Sequence, residues 1–176
     1  RRRHKRLRDK REKYHHSLKA LALREKKIHI VGTPKLKVEG TPVYFDVEGI
    51  PDLDFYYLIG VRVHASGTVV RHDIWADDRK DEKKIWERFI AILDGIENPV
   101  LIHYGSYETH FLKRMCDRYG MPQEGSVLHK AIQSPVNILS TIFAQIYFPT
   151  YSNSLKDIAV WLGFRWADTT PFGPNS

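Results

Sequence analysis

Three consecutive apolar runs, each of strand length, constrain the fold of this 176-residue chain more than any other feature. The runs cover residues 43–48, 55–63 and 68–76, and a turn that contains Gly67 separates the second from the third. Short runs rich in β-branched and aromatic residues, separated by so few residues, pair as antiparallel neighbours. We therefore predict a three-stranded antiparallel meander.

The rest of the chain shows mainly helical patterns. Apolar residues recur at helical spacing in residues 81–93, 106–120, 134–146 and 154–164, and residues 98–104 form a short apolar run typical of a buried strand. The predicted order is β-β-β-α-β-α-α-α. This order indicates an α/β fold in which a mixed sheet, made of the meander and at least one further strand, is flanked by helices.

Two acids interrupt the first predicted strand, in the stretch TPVYFDVEG (residues 41–49). Because side chains alternate along a strand, Asp46 and Glu48 share one face and Val47 points to the other. Two carboxylates so close repel each other, which raises a pKa or favours a bound cation. The pattern is also typical of a strand that ends in solvent, since lone acids are mostly exposed. Both interpretations stay open at this point.

A third acid, Glu108, lies on the apolar face of the predicted helix 106–120. Phe111 and Leu112 belong to the stripe that packs on the sheet, and Glu108 precedes them by three and four residues. A carboxylate at a helix start interacts favourably with the helix dipole, which explains its position along the helix but not its direction. A carboxylate on a buried face needs a partner, because burying an unpaired charge is costly.

The three acids can meet at one place in the predicted fold. In this order of elements the strand 98–104 lies beside the first strand, so Asp46, Glu48 and Glu108 can converge. Three oxygen ligands, with no set of Cys or His ligands, suit Mg²⁺ or Mn²⁺. Two such ions can promote the displacement at phosphorus that hydrolyses a phosphodiester. We predict that these three residues are both metal ligands and catalytic residues.

Two motifs carry a family resemblance. The stretch YFDVEG (residues 44–49) resembles the first motif, Asp-x-Glu, of the DEDD-type 3′–5′ exonucleases. The stretch HYGSYETHFL (residues 103–112) is similar to their second motif, His-Asn-x-x-Phe-Asp, with His103 on the His, Tyr107 on the Phe and Glu108 on the Asp. Two residues depart from the second motif, because Glu108 replaces the usual Asp and Tyr104 the usual Asn.

More widely, residues from about 15 to 176 look like the ribonuclease H-like exonuclease domain attached to bacterial RecB-like nucleases. The resemblance implies a ribonuclease H-like fold and metal-dependent hydrolysis of phosphodiester bonds by two Mg²⁺ or Mn²⁺ ions. It further implies 3′–5′ polarity, a preference for single-stranded DNA with RNA left open, and an upstream RecB-like nuclease domain in the same polypeptide.

A fourth carboxylate is expected from the family's third motif, a Tyr or His followed within a few residues by Asp. Asp157, preceded by Tyr151, is a weak candidate, because Ser154 and Asp157 have the Ser-x-x-Asp spacing of a helix cap. The third motif is therefore expected beyond Ser176, which would leave this chain incomplete and weakly active or inactive. The alternative function is a non-catalytic module that binds nucleic acid or serves as a scaffold within a larger RecB-like nuclease.

Four further residues are weaker candidates for contact with nucleic acid. Tyr104 and Tyr107 can stack on bases, although aromatic side chains beside a sheet belong more often to the core. Lys113 and Arg114 can line a path for a nucleic-acid strand, although a solvated helix face explains them equally well. His103 can assist near the metal ions, or it can have a structural role at the end of its strand.

Charge is concentrated at the N-terminus. Thirteen of the 28 Lys and Arg residues, but only three of the 21 Asp and Glu residues, fall within residues 1–30, so the rest of the chain carries 15 basic and 18 acidic residues. Leucines at helical spacing predict that residues 1–27 form an amphipathic helix. We expect a basic helical arm and linker over residues 1–32, which follows an upstream domain, and the exonuclease domain over residues 33–176.

Composition limits the cellular context. No run approaches the ~20 apolar residues of a membrane-spanning helix, no signal-peptide pattern is present, and we expect no membrane partner. The single Cys116 rules out an internal disulfide and any metal site built on several cysteines. We predict a cytoplasmic protein.

Overall fold

The structure is a computed structural model that describes residues 13–65 and 67–165. None of the helices in these two ranges is long and apolar enough to cross a membrane. In chain order the helices and strands are α1 (His16–Glu25), β1 (His29–Ile30), β2 (Thr41–Ile50), β3 (Phe55–Ala65), β4 (Thr68–Trp75), α2 (Glu82–Asp94), β5 (Pro99–His103), α3 (Tyr107–Tyr119), α4 (Val127–Gln133), β6 (Val136–Asn137), α5 (Ile138–Ile142), β7 (Ile146–Tyr147) and α6 (Leu155–Trp161).

The chain divides into two compact units. Residues 35–141 form one, and residues 13–34 form the other together with residues 142–165. The first change of unit, after Pro34, falls near the boundary expected at residues 32 and 33. The second change, after Thr141, lies inside the segment that the sequence assigned to a single domain.

The unit of residues 35–141 is built on a five-stranded mixed sheet with the strand order β4-β3-β2-β5-β6. β2 pairs with β3 and β3 with β4 in antiparallel register, which confirms the predicted meander. β5 lies beside β2, on the side away from β3, as predicted. It pairs with β2 in parallel register, and β6 pairs in parallel with β5. The predicted fold class, a mixed sheet flanked by helices, is therefore confirmed.

Strand β2 alternates between a buried and an open face. Val43, Phe45 and Val47 are buried in the core, whereas Asp46 and Glu48 lie on the opposite face and remain exposed. This alternation is the period of two that the sequence shows. The regular pairing of β2 with β3 shifts just after Glu48, so the strand changes its geometry next to the second acid.

Aromatic rings fill the core between the sheet and helices α2 and α3. The ring centroid of Phe89 lies 5.7 Å from that of Phe45 on β2 and 6.3 Å from that of Phe111 on α3. The ring of Trp86 lies 6.0 Å from that of Phe111 in an edge-on arrangement. Such offset and edge-on pairs are the favoured aromatic geometries. The packing fixes α3, and therefore its first turn, against the sheet.

A buried carboxylate that the sequence analysis did not predict ties three elements of this unit together. Glu82, the first residue of α2, is only 1 % exposed. Its Oε1 accepts a hydrogen bond from the backbone N–H of Tyr56 at 2.9 Å. Its Oε2 accepts from Arg118 Nη1 at 2.7 Å and from the Tyr119 hydroxyl at 2.6 Å. Arg118 also pairs with the carboxylate of Asp54, so every charge in this group has a partner.

The predicted helix over residues 134–146 is wrong. The chain instead forms the short strand β6, the short helix α5 and the strand β7. Asn137 makes contacts at the start of the segment: its side-chain amide bridges to the backbone of Gly105, and its Oδ1 accepts a hydrogen bond from the backbone N–H of Leu139 at 3.0 Å. These bonds hold the segment at the sheet edge.

The unit of residues 13–34 and 142–165 joins part of the arm to the last described elements. β1 pairs antiparallel with β7, and the ring of Tyr14 stacks on Phe143 at 5.3 Å. The Lys19 ammonium donates to the backbone oxygen of Phe148 at 2.9 Å and to Asn153 Oδ1 at 3.2 Å. Residues of the arm therefore contact a segment that the sequence assigned to the following domain. The start of the arm, residues 1–12, lies outside the described residues.

Candidate active site

Glu108 lies in the first turn of α3 and is only 5 % exposed. Phe111 and Leu112, three and four residues later, are buried on the same helix face. The apolar stripe therefore places Glu108 where the sequence predicted, on the side of the helix that packs on the protein. A carboxylate in this position loses most of its water and depends on neighbouring groups.

Asp46 and Glu108 are brought together. Asp46 is exposed on the open face of β2, yet enough protein surrounds its carboxyl group that burial raises its pKa above the ordinary value. The negative charges of Glu108 and Glu48 raise the pKa further, and so does a side-chain hydrogen bond with Glu108. Proximity of like charges disfavours the ionised form of each group. Both other predicted acids thus act electrostatically on Asp46.

His103 is the immediate neighbour of Glu108. It is the last residue of β5, it is 3 % exposed, and its Nδ1 lies 3.3 Å from Glu108 Oε2. Neither atom has a hydrogen-bond partner with good geometry, although both are shielded from solvent. The other ring nitrogen, Nε2, lies 3.4 Å from the hydroxyl of Thr109. One oxygen of the buried carboxylate is therefore left without a satisfied interaction.

The donor types at this site fit a divalent cation. Carboxylate oxygens are the ligands that Mg²⁺ and Mn²⁺ prefer, and the raised pKa of Asp46 together with the unsatisfied oxygen of Glu108 indicates negative charge without compensation. Within residues 13–65 and 67–165, however, no three His, Cys, Asp or Glu side chains are already arranged to hold an ion. The carboxylates would have to turn toward one another to do so.

Tyr107 lies at the edge of this site. Its hydroxyl packs so closely against Gly49 that a Cβ at residue 49 would be only 2.6 Å away, so a larger residue could not occupy that position without displacing the ring. Burial raises the pKa of Tyr107, with smaller contributions from Tyr56, Glu48 and other neighbours. Tyr107 is partly exposed, whereas Tyr104 is half-buried, and burial likewise raises its pKa.

A cavity of about 160 Å³ adjoins the end of β2. Tyr107 and Arg114, two of the residues predicted to contact nucleic acid, both line it, and so does Asp54. Arg114 Nη1 lies 3.6 Å from Asp54 Oδ2 in an exposed pair of the kind that contributes little to stability. Lys113, also predicted to contact nucleic acid, is exposed on the same helix.

Asp157, the weak candidate for a fourth acid, belongs to the unit of residues 13–34 and 142–165. Ser154 Oγ accepts a hydrogen bond from the backbone N–H of Asp157 at 3.1 Å, as expected for the cap of α6. The carboxylate of Asp157 accepts a hydrogen bond from the hydroxyl of Ser152, and this bond is the main cause of its lowered pKa. The other acid of the C-terminal segment, Asp168, lies outside the described residues.

Sequence reasoning left the role of His103 undecided. The position offers one signal in retrospect, because His103 ends a buried strand just before a helix whose first turn carries an acid on its buried face. A polar ring at that junction meets the acid across a short connection. Periodicity alone does not show this, because it predicts which face a residue occupies and not which atoms meet.

Comparison with known proteins adds one finding. A family model described as RNase_H superfamily matches residues 43–173, about three-quarters of the chain. The matched range includes Asp46, Glu48 and Glu108. No curated protein and no solved structure matches the chain significantly.

Proposed function

The chain belongs to the RNase H superfamily, and from this membership we propose that it is a divalent-metal-dependent nuclease that hydrolyses phosphodiester bonds. The observation that carries the proposal is the grouping of Asp46 with Glu48 and Glu108: burial raises the pKa of Asp46, and the negative charges of Glu108 and Glu48 raise it further. A perturbed carboxylate beside other acids is typical of sites that hold a cation or transfer a proton.

The three acids have distinct positions in the proposed site. Asp46 and Glu48 supply carboxylates from one rigid strand, and Glu108 supplies a third from the start of α3. We propose that they hold two Mg²⁺ or Mn²⁺ ions. When bound, two such ions polarise the scissile phosphodiester and neutralise the charge that develops on the attacking and leaving oxygens. The protein contributes ligands fixed to regular secondary structure, which are held more precisely than ligands on loops.

The substrate follows from the resemblance to DEDD-type exonucleases and from the surroundings of the acids. We propose 3′–5′ exonuclease activity, with single-stranded DNA preferred over RNA. The cavity beside the end of β2 presents the ring of Tyr107 and the guanidinium of Arg114, which suit a base and a phosphate respectively. We further propose that the domain works beside a RecB-like nuclease domain of the same polypeptide, in the cytoplasm.

A second candidate function is a non-catalytic module that binds nucleic acid or holds the partner domain in place. It is favoured by one observation, the lack among the described residues of three ligands already arranged for a metal ion. The glutamate at position 108, in place of the Asp of the resembled motif, also favours it. This module would bind single-stranded nucleic acid without shortening it.

The deciding experiment is a cleavage assay with single-stranded DNA and RNA labelled at the 5′ end, in Mn²⁺, in Mg²⁺ and in a chelator. We expect weak, stepwise shortening from the 3′ end that requires the metal and disappears in Asp46→Asn and Glu108→Gln. The matched control is Asp73→Asn, since Asp73 lies on the same face of the sheet as Asp46, two strands away, but pairs with Arg71. Binding without shortening would favour the second candidate, and equal cleavage by Asp46→Asn would refute the site.

A further inference from the structure

His103 is held between two consecutive residues of α3. Its Nδ1 lies 3.3 Å from Glu108 Oε2, and its Nε2 lies 3.4 Å from the Thr109 hydroxyl. On one side its ring packs against Phe45 of β2, with the ring centroids 5.8 Å apart. The two nitrogens therefore have different neighbours, and exchanging them by a ring flip would move both contacts at once.

We propose that His103 is the positioning residue of the candidate metal site, donating a hydrogen bond from Nδ1–H to Glu108 Oε2 and thereby fixing the direction of that carboxylate. The inference deepens the proposed nuclease function and rests on it. In this proposal His103 neither binds the ion nor contacts the substrate, since its Nδ1 faces Glu108 and its Nε2 faces Thr109.

The strongest support is the pair of unsatisfied atoms. Nδ1 of His103 and Oε2 of Glu108 are both shielded from solvent, and each lacks any other hydrogen-bond partner. Leaving a buried polar group unsatisfied is unfavourable, so two such atoms 3.3 Å apart are each other's natural partners. A hydrogen bond between them would satisfy both.

The arrangement of hydrogen bonds is consistent on both sides of the ring. If Nδ1 carries a proton, Nε2 of the neutral ring can accept a hydrogen bond from the Thr109 hydroxyl. The donor role of Nδ1 holds in this neutral tautomer and in the imidazolium alike. The proposal therefore depends on where the ring lies and not on its charge.

Such an outer hydrogen bond has a measurable consequence. Groups that orient metal ligands typically contribute 10–100-fold to metal affinity. Here the effect should fall on one ligand of three, because Asp46 and Glu48 are held by β2 and do not depend on His103. Loss of the Nδ1 donor should therefore weaken metal binding about 10–100-fold without altering the strand.

Two substitutions separate positioning from packing. In His103→Asn the side-chain amide nitrogen can take the place of Nδ1, and in His103→Gln it can reach only the place of Nε2. We expect His103→Gln to weaken Mn²⁺ binding, measured by titration calorimetry, by about 10–100-fold. His103→Asn should restore most of the affinity. The order of the two variants in thermal unfolding midpoint, measured without metal, should differ from their order in Mn²⁺ affinity. In wild-type protein, long-range ¹H–¹⁵N NMR spectra should show the proton on Nδ1.

The outcomes distinguish this inference from the proposed function. If the wild-type chain shows no Mn²⁺ binding that Asp46→Asn removes, the proposed function fails and the inference fails with it. If that binding is present but His103→Gln matches the wild type, or His103→Asn is weakened as much as His103→Gln, only the inference is overturned. An Nδ1 without a proton in the wild-type spectrum overturns it as well, and this readout requires no variant to fold.

Discussion

Glu82 and Glu108 are two buried glutamates, each at the start of a helix that packs on the same sheet, and their surroundings are opposite. Glu82 accepts hydrogen bonds from the backbone of Tyr56, from Arg118 and from Tyr119, so both of its oxygens are satisfied. Glu108 lies beside other carboxylates, and one of its oxygens has no good partner.

The difference separates a structural acid from a functional one. A buried carboxylate with a cation and further donors contributes a fixed architecture, and removing it leaves its partners uncompensated. A buried carboxylate among like charges costs stability, and a protein retains such an arrangement where something else binds there. On this comparison we propose that Glu82 stabilises the fold and that Glu108 holds a ligand.

The largest expected effect is on stability, at Glu82. Glu82→Ala would leave the Arg118 guanidinium and the backbone N–H of Tyr56 without their acceptor, so we expect a loss of about 3–5 kcal/mol in the free energy of unfolding. Urea unfolding measures it. Glu87→Ala is the matched control on the same helix, because Glu87 forms only an exposed pair with Lys83 and should change stability by less than about 0.5 kcal/mol. Similar losses in both variants would show that Glu82 contributes no more to stability than an exposed glutamate.

The next effect should be on metal binding and not on stability. Glu108→Gln preserves the shape of the side chain but removes one of the repelling charges, so we expect no loss of unfolding free energy beyond about 1 kcal/mol. We expect Mn²⁺ affinity to fall by more than the factor of about 10–100 expected for loss of its positioning partner His103, as calorimetric titration would show. If Glu108→Gln unfolds as readily as Glu82→Ala, Glu108 is a structural residue.

A smaller effect sharpens the account of the satisfied acid. Tyr119→Phe removes one of the three hydrogen bonds to Glu82 and should cost about 0.5–1.5 kcal/mol. Burial, with the hydrogen bond to Glu82, raises the pKa of Tyr119 to about 12, so the hydroxyl remains a donor at any ordinary pH. Urea unfolding of the wild type and of Tyr119→Phe measures this difference in the free energy of unfolding. No change at all would mean that Arg118 alone satisfies Oε2 of Glu82.

The smallest effect is the pH dependence of Asp46. Its pKa is raised in the folded protein, so the folded state binds the proton more tightly and the ionised form costs stability. That cost is absent at a pH below the ordinary value of 3.8 and grows as the pH rises through the raised pKa. Asp46→Asn should therefore gain stability over the wild type, more at about pH 8 than at about pH 4.

The check is a comparison of unfolding midpoints for the wild type and Asp46→Asn at several pH values. Millimolar Mg²⁺ should stabilise the wild type and reduce the advantage of the variant, because a bound cation offsets the same repulsion. An advantage that is independent of pH and of Mg²⁺ would show that Asp46 does not experience the other acids.

Much of the fold and the positions of the acids could be predicted because they depend on local periodicity. Alternation along β2 placed Asp46 and Glu48 on one face, and the spacing of Phe111 and Leu112 placed Glu108 on the buried face of α3. Each of these predictions needs only the neighbouring residues of one element.

The remainder depends on partners that are distant in the sequence. Helical spacing places Glu82, like Glu108, on the buried face, because it precedes Ile85 and Trp86 by three and four residues. It does not show which donors meet Glu82, and these lie 26 to 37 residues away. The bonds of Asn137 likewise reach Gly105, 32 residues earlier. The contact between His103 and Glu108 spans only five residues, but it crosses from a strand to a helix, where neither period applies.

Anomalous scattering of Mn²⁺ in crystals of the chain soaked with that ion tests directly whether Glu108 holds a ligand. We predict anomalous density between the carboxylates of Asp46, Glu48 and Glu108, absent in crystals of Asp46→Asn, and none near Glu82. Density at Glu82, or a well-ordered site without any density at the three acids in millimolar Mn²⁺, would contradict the assignment of Glu108 as the ligand-holding member of the pair.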